Sequence, residues 1–422
     1  MVNASTERGF VVSPEPSRRR PRRTIISQTT RDAAGRKRRI PEPLEPAFPL
    51  LSLRGILRWS PRAPSILDHG DVLNVSAGRY AIAHALRLLN IGPGDEVLVP
   101  AYHCSVMVDP IVALGAAPVF YKIGPDLAVD LEDSEEKITP ATKAILAAHL
   151  FGFPQDGPAL RAFADRHAIA LIEDCAHAFF GEGMGSFGDF VIGSYFKFFP
   201  VTEGGCLVSK RPEIRHVGLQ SQGVMKNFRQ LIALIRISYR FGRLRVMGPL
   251  LRLIDGPSDT SIEAPEENPP TDPTSTPKVE NVDYIRRDED LDATGLTKLM
   301  VRHNTTRYTT ERRRQNYQRV VDIVGETPAA RPLFPRLESG IVPFMVPFWV
   351  DRLEALFPFM EDAAIPMQRY SQFLRKDIDE SVCATTVDLS RHLVQLSCHQ
   401  DLTEAEIRRF AGAFREIVLR EN

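Results

Sequence analysis

The sequence predicts an α/β protein with a large, mainly parallel sheet covered by helices on both faces and a smaller C-terminal α/β domain. Two patterns predict it. From about residue 70 to 175, apolar runs of strand length alternate with segments of helical period, and strands separated by helices pair in parallel. After residue 210 the alternation breaks, then resumes near 285 and ends in an amphipathic segment. A chain of 422 residues can bury one large core and one smaller one.

The elements follow in order. Residues 79–89 predict a helix with Ile82, Ala85 and Leu86 on one face. "IGPGDE" is a loop and "EVLVPAY" a short buried strand. A helix over 105–114 precedes a strand over 118–123, and "TKAILAAHL" supplies a strand over 142–149. Pro158 suits the first turn of a helix, and "IALIEDCA" returns to strand. "TTERRRQNYQRVVDIV" predicts a helix, as does "DLTEAEIRRFAGAFREIVLREN", with Asp401 or Thr403 as cap and Glu404 or Glu406 nearby. Four segments result: a basic leader over 1–45, a large domain over 46–255, a Pro- and acid-rich excursion over 256–284, and a small domain over 285–422.

Charge is balanced overall but unevenly spread. Residues 1–40 hold eleven Lys/Arg against Glu7, Glu15 and Asp32, without sustained apolar periodicity, so the leader reads as largely unstructured. It lacks the apolar core of a secretory signal, and no apolar run is long enough to span a bilayer. A net charge of zero gives no reason to expect nucleic-acid binding. Cys104, Cys175, Cys206, Cys383 and Cys398 are odd in number and form no CxxC pair, which argues against a disulfide scaffold or cysteine-rich zinc site and for a cytoplasmic setting. Residues 214–254 contain no Asp or Glu and eight Lys/Arg. That stretch suits ordinary packing or a subunit contact, and membrane-surface contact through 226–252 is the other reading.

The chemistry gathers at predicted strand ends. Asp174 closes an apolar strand, where open α/β sheets bind ligands. Its carboxylate could face solvent, bind a metal or pair with a cationic ring nitrogen. His177 follows three residues later, but the two alone lack the ligands a metal needs. Ser194 and Lys197 form S-x-x-K, with Lys197 among Tyr195, Phe196, Phe198 and Phe199. Serine acylases share that spacing, yet their companion motifs are absent. Apolar surroundings expose lysine's nucleophilic amine, and a pyridoxal phosphate aldehyde uses one, together with an acid for its ring nitrogen and donors for its phosphate. "SAGRYAIAHAL" supplies such donors, since Gly78 opens a helix and permits close backbone approach. The plainer reading of Asp174 and Lys197 is a structural ion pair, and His149 reads as either a functional residue or the end of a buried strand.

"NIGPGDEVLVPAY", "ALGAAPVF", "HLFGFPQD", "IEDCAHAFFG", "GSFGDF" and "TEGGCLV" occur in succession between residues 70 and 210. Together they resemble the DegT/DnrJ/EryC1/StrS family, the fold-type-I, pyridoxal-phosphate-dependent sugar aminotransferases. The resemblance implies that Lys197 forms the imine with the cofactor and later moves protons. It implies that Asp174 binds the pyridine nitrogen, that Ser194, Gly78 and the Arg79 backbone hold phosphate, and that His177 lies near the ring or its hydroxyl. His103 is the candidate for the stacking ring, a strand-end hydrogen-bonded histidine being its alternative.

The segment between Asp189 and Lys197 is about two residues shorter than the commonest family form, and residues 211–300 lack the familiar substrate-contact pattern. The implied activity is transfer of an amino group, from glutamate, to a keto group on a uridine- or thymidine-diphosphate sugar or related small molecule, by a homodimer. Arg302, His303 and Asn304 would face the partner, and Gln368 and Arg369 the substrate. A related dehydratase is disfavoured by the retained Lys197, since that branch replaces the lysine with histidine. A catalytically inactive homologue acting as a binding or scaffold protein is the alternative from another class.

Overall fold

The predicted alternation becomes a seven-stranded sheet in the computed structural model, which describes residues 29–31, 37–39, 41–255, 286–372 and 374–420. The excursion over 256–284 and most of the leader lie outside the described residues. The strands are β1 (Asp71–Val75), β2 (Glu96–Pro100), β3 (Ala117–Tyr121), β4 (Thr142–Ala148), β5 (Ala170–Asp174), β6 (Phe190–Ser194) and β7 (Gly205–Ser209). Their order is β3-β2-β4-β5-β6-β7-β1. All run parallel except β7, which pairs antiparallel with both β6 and β1.

Helices cover the sheet, so the central strands are apolar throughout rather than alternating. Leu146, Leu171, Ile172, Ile192 and Leu207 are fully or almost fully buried. The helices α1 (Gly78–Leu88), α2 (Ser105–Ala113) and α3 (Gly157–Arg166) fall within a residue of their predicted starts. Asp156 caps α3 by accepting the Ala159 N–H, and Pro158 occupies its first turn.

Beyond β7, the basic stretch forms the long helix α4 (Gly223–Arg240) and a short helix over Gly248–Asp255. Gln230, Leu234 and Ser238 of α4 are buried, whereas Val224, Met225 and Phe228 are exposed. Several cations of this stretch find acids elsewhere in the chain: Arg215 pairs with Asp71, Arg240 with Glu42 and Arg243 with Glu406. Among the described residues no helix is long and apolar enough to cross a membrane.

The chain then returns to the large sheet, with bridges between Gln220 and Leu291 and between Val75 and Asp292. Helices α5 (Gly295–Asn304) and α6 (Arg307–Val324) follow. A second sheet, all antiparallel, contains β8 (Ala330–Pro332), β9 (Met345–Val350), β10 (Met367–Gln368) and β11 (Leu393–Ser397) in the order β8-β9-β11-β10. Three helices complete this part: α7 (Leu353–Asp362), α8 (Glu380–His392) and α9 (Glu404–Val418). Thr403 and Glu406 form a capping box at α9. Asp401, the other cap candidate, is half-buried and accepts the Leu50 N–H instead.

Residues 44–50 run along this C-terminal part. The Leu44 N–H donates to Ala364 O, Glu45 pairs with Arg409, and Ser397 Oγ donates to Ala47 O. His399 is the buried tie: Nε2 donates to Pro46 O at 3.0 Å, while Nδ1 accepts the Asp401 N–H at 3.3 Å. Both bonds require a neutral ring, and burial pushes the His399 pKa down to about 3. The unfolded chain therefore takes up the proton first. Stability from this residue is complete above the unfolded value of about 6.5 and falls as pH drops below it, by about 2 kcal/mol between pH 7 and pH 5. Urea unfolding at the two pH values should show a loss about 2 kcal/mol smaller in His399→Gln than in the wild type; equal losses would contradict the assignment.

Candidate active site

The carboxyl ends of β1, β5 and β6 converge, and the predicted residues sit on them. β7 begins at Gly205, opposite both Val75 and Ser194. A Cβ on Gly205 would stand 2.7 Å from Gly78 N and 2.7 Å from Gly193 O, so only glycine lets this strand lie against the start of α1. A Cβ on Gly78 would meet Ser194 Cβ at 3.7 Å and Oγ at 4.0 Å, which places the buried Ser194 hydroxyl beside the helix start. No side chain caps α1 at Ala77. The first N–H groups of the helix, at Gly78 and Arg79, face the end where an anion is favoured.

Asp174 ends β5 and is buried. Its Oδ1 accepts the Ala176 N–H at 2.9 Å, and its main-chain carbonyl accepts the His149 N–H at 3.0 Å. Burial raises its pKa above the usual carboxylate range, against the Ala176 hydrogen bond and the positive charge of Lys197. Among the described residues no ion pair within 4.0 Å joins Asp174 to Lys197, so the structural pair weighed from the sequence does not form. The two interact at a distance rather than by contact.

Lys197 is half-buried in the turn after β6. Its Nζ lies 5.8 Å from the Phe196 ring centroid and 5.6 Å from that of Phe344. Its charge acts on Asp174, His177 and Cys104. His177 is buried; Phe344 stacks on it at 4.6 Å, Phe151 lies nearly parallel at 5.8 Å, and Tyr370 meets it edge-on at 5.2 Å. Its Nδ1 accepts the Phe151 N–H at 3.4 Å, which leaves the proton on Nε2. Burial, then the Lys197 charge, hold its pKa well below the ordinary value. The ring is neutral. Phe151 adopts φ 58, a region bulky residues seldom occupy, and its carbonyl accepts the Phe344 N–H at 2.8 Å.

Two predicted histidines are engaged by the surrounding chain. His149 Nδ1 accepts the Gln155 N–H at 3.0 Å and Nε2 donates to Glu173 at 3.2 Å, while Glu173 also accepts the Phe187 and Gly188 N–H groups. His103 Nδ1 lies 3.0 Å from Ala101 O and 3.1 Å from Pro100 O, its ring stacks on Phe120 at 5.0 Å, and burial pushes its pKa down to about 4. The strand-end hydrogen-bonded arrangement is the one formed. The neighbouring Cys104, rather than His103, feels both Lys197 and Asp174 and bonds to Tyr370.

Tyr370, Phe151, Phe344 and Cys104 were missed by sequence reasoning. Gln368 and Tyr370 are two residues apart at a strand end, so the shared face of an extended segment was an available signal. The Arg369 side chain is only 2% exposed and donates to Ser390 O and Glu354, not toward Lys197. Arg302 and His303 are exposed on α5, with His303 Nε2 3.2 Å from Gly55 O, and Asn304 donates to Met300 O.

The strand order and the single antiparallel strand are those of the fold-type-I transferase architecture. The chain matches the DegT/DnrJ/EryC1/StrS aminotransferase family, whose model aligns with residues 64–242. It is 38% identical over 173 residues to the UDP-N-acetyl-3-dehydro-alpha-D-glucosamine 3-aminotransferase of Acidithiobacillus ferrooxidans, a match covering 38% of this chain and 46% of that one. It is also 38% identical over 146 residues to the L-glutamine:2-deoxy-scyllo-inosose aminotransferase of Streptomyces kanamyceticus, covering 32% of this chain and 34% of that one. In both cases the chain spans less than half the relative's length. The fold is similar to that of ntda from Bacillus subtilis with bound cofactor PMP, at a TM-score of 0.60 and 18% identity, covering 84% of this chain and 74% of that one.

Two glycines separate close approach from mere flexibility. A Cβ at Gly412 in α9 would meet nothing within 4 Å. Gly205→Ala should lower unfolding stability by about 1–3 kcal/mol, whereas Gly412→Ala should raise it by about 0.5–1 kcal/mol. Chemical unfolding of the two variants checks both signs.

Proposed function

We propose that the protein is a pyridoxal-phosphate-dependent aminotransferase that moves an amino group, from glutamate, to a keto group on a nucleotide-linked sugar or a related small molecule. The observation that carries this reading is that Gly78 lies beside Ser194 while the Lys197 charge acts on the buried Asp174, all at neighbouring strand ends of a fold-type-I architecture. The residues suit the cofactor. The Gly78 and Arg79 N–H groups and Ser194 Oγ would hold its phosphate. Asp174, a buried carboxylate without an ion-pair partner, would bind its ring nitrogen and be relieved of the burial that raises its pKa. Lys197 would supply the attaching amine. Pyridoxal phosphate itself supplies the electron sink for the charge left when a carbon loses its proton.

The chain's own groups account for the remaining requirements. Asp174 would favour a positive charge on a ring nitrogen held beside it. Lys197 Nζ would take up and release the proton that the transfer moves. His177 stays neutral and offers Nε2–H as a donor to an oxygen of the cofactor or substrate. Phe151, Phe344 and Tyr370 pack around His177 and would help keep water from it. A homodimer, with Arg302 and His303 facing the partner, belongs to the same proposal.

Support for the substrate class comes from the activities of relatives, which include a UDP-sugar acceptor and a cyclitol acceptor with L-glutamine as donor. The test is the visible spectrum of the protein with pyridoxal phosphate, before and after glutamate or glutamine. Wild type should show a long-wavelength band that the donor removes. Lys197→Ala should lack it, and Asp174→Asn should keep it while slowing conversion about a hundredfold or more. A wild-type band unmoved by either donor would point to a binding homologue. Identical spectra for wild type and Lys197→Ala would remove Lys197 from the attaching role.

A further inference from the structure

We infer that Arg313 is a positioning residue of this site, a buried guanidinium that locks the Lys197 turn to the Phe344 wall and so sets where the Lys197 amine stands. The inference rests on Lys197 being the attaching lysine. Arg313 lies on α6, outside the space described above, and is fully buried. Its NH2 donates to Lys197 O at 2.7 Å. Its NH1 lies 3.2 Å from Pro343 O and 3.2 Å from Phe344 O, and Nε donates to Gln400 Oε1 at 2.9 Å. The guanidinium carbon sits 4.4 Å from the Phe198 ring centroid, and Gln400 Nε2 donates to Phe198 O at 2.8 Å.

One planar group therefore ties together the turn after β6, the chain entering β9, and the loop after β11. Carbonyls at Lys197, Pro343 and Phe344 point into an interior that needs donors. A rigid fork of N–H groups can reach all three at once, which a lysine ammonium on a flexible stem cannot reproduce. Among the described residues no carboxylate forms an ion pair with Arg313, although Asp401 and Cys398 act on it through space. Burial pushes its pKa down to about 10, so it remains charged at neutral pH.

The two ends of this clamp matter to the site. Lys197 O belongs to the residue whose Nζ must reach the aldehyde. Phe344 O belongs to the residue whose ring stacks on His177 at 4.6 Å and lies 5.6 Å from Lys197 Nζ. In the covalent step, the Lys197 amine adds to the aldehyde carbon, water leaves, and a carbon–nitrogen double bond replaces the carbonyl. That step depends on amine placement, whereas noncovalent binding through the phosphate and ring nitrogen does not.

The test compares two ligands on the full chain. Pyridoxamine phosphate has no aldehyde and reports only on the cradle and Asp174; pyridoxal phosphate reports on Lys197 as well. For Arg313→Lys, affinity for pyridoxal phosphate should fall at least about tenfold while affinity for pyridoxamine phosphate changes less than about threefold. Arg313→Met should show the same split, and Arg313→Lys, which keeps the buried cation, guards against a failure of the methionine variant to fold. A fall of equal size for both ligands would make Arg313 a structural residue only and overturn the inference, as would no fall in either. The underlying reading fails differently: Lys197→Ala would then bind pyridoxal phosphate as tightly as wild type does.

Discussion

The site depends on one backbone contact, the seating of β7 against the first residue of α1. Gly205 and Gly78 approach so closely that a side chain on Gly205 would collide with main-chain atoms. The antiparallel strand is thereby wedged between β6 and β1, and the start of α1 is held beside Ser194. Given that contact, the turn from Tyr195 to Gly204 has little freedom. Gly204 completes it at φ 107, with its N–H on Ser76 O and its carbonyl accepting the Tyr195 N–H. Lys197 then emerges from a turn pinned at both ends. The helix N-terminus, the serine hydroxyl and the lysine are placed by one constraint.

Electrostatics gives the space its chemical bias. Asp174 and His177 are both buried, and burial favours the uncharged form of each. Only Asp174 stands to gain from a cation, and it forms no close ion pair with Lys197. A protonated ring nitrogen would satisfy it. Glu173, one residue earlier on the same strand, faces the other way and is consumed by His149 and the Phe187–Gly188 turn. Two adjacent carboxylates thus take different tasks, because successive side chains of a strand point to opposite faces.

The large sheet was legible because its strands and helices differ in period, and the boundaries follow from apolar runs such as "ALIED". Lys197, Asp174, Ser194 and Gly78 stand out in the sequence because each sits in a local motif at a strand end or helix start. The packing around the stacking candidate was not legible. His103 and Cys104 are adjacent, and only tertiary packing decides that the imidazole turns to Phe120 while the thiol enters the field of Lys197. Tyr370, Phe344 and Arg313 were equally hidden, since they reach the site from more than a hundred residues away in sequence. The basic stretch read without its partners for the same reason: Asp71, Glu42 and Glu406, which pair with its arginines, are remote in the chain.

The central claim is that this arrangement fixes pyridoxal phosphate at one lysine. The most direct measurement is to load the full-length protein, reduce with borohydride, digest, and locate the modified residue by mass spectrometry. The account predicts a single pyridoxyl-lysine at Lys197, suppressed when pyridoxamine phosphate occupies the site beforehand. Modification of another lysine, or labelling spread over surface lysines and indifferent to pyridoxamine phosphate, would contradict it.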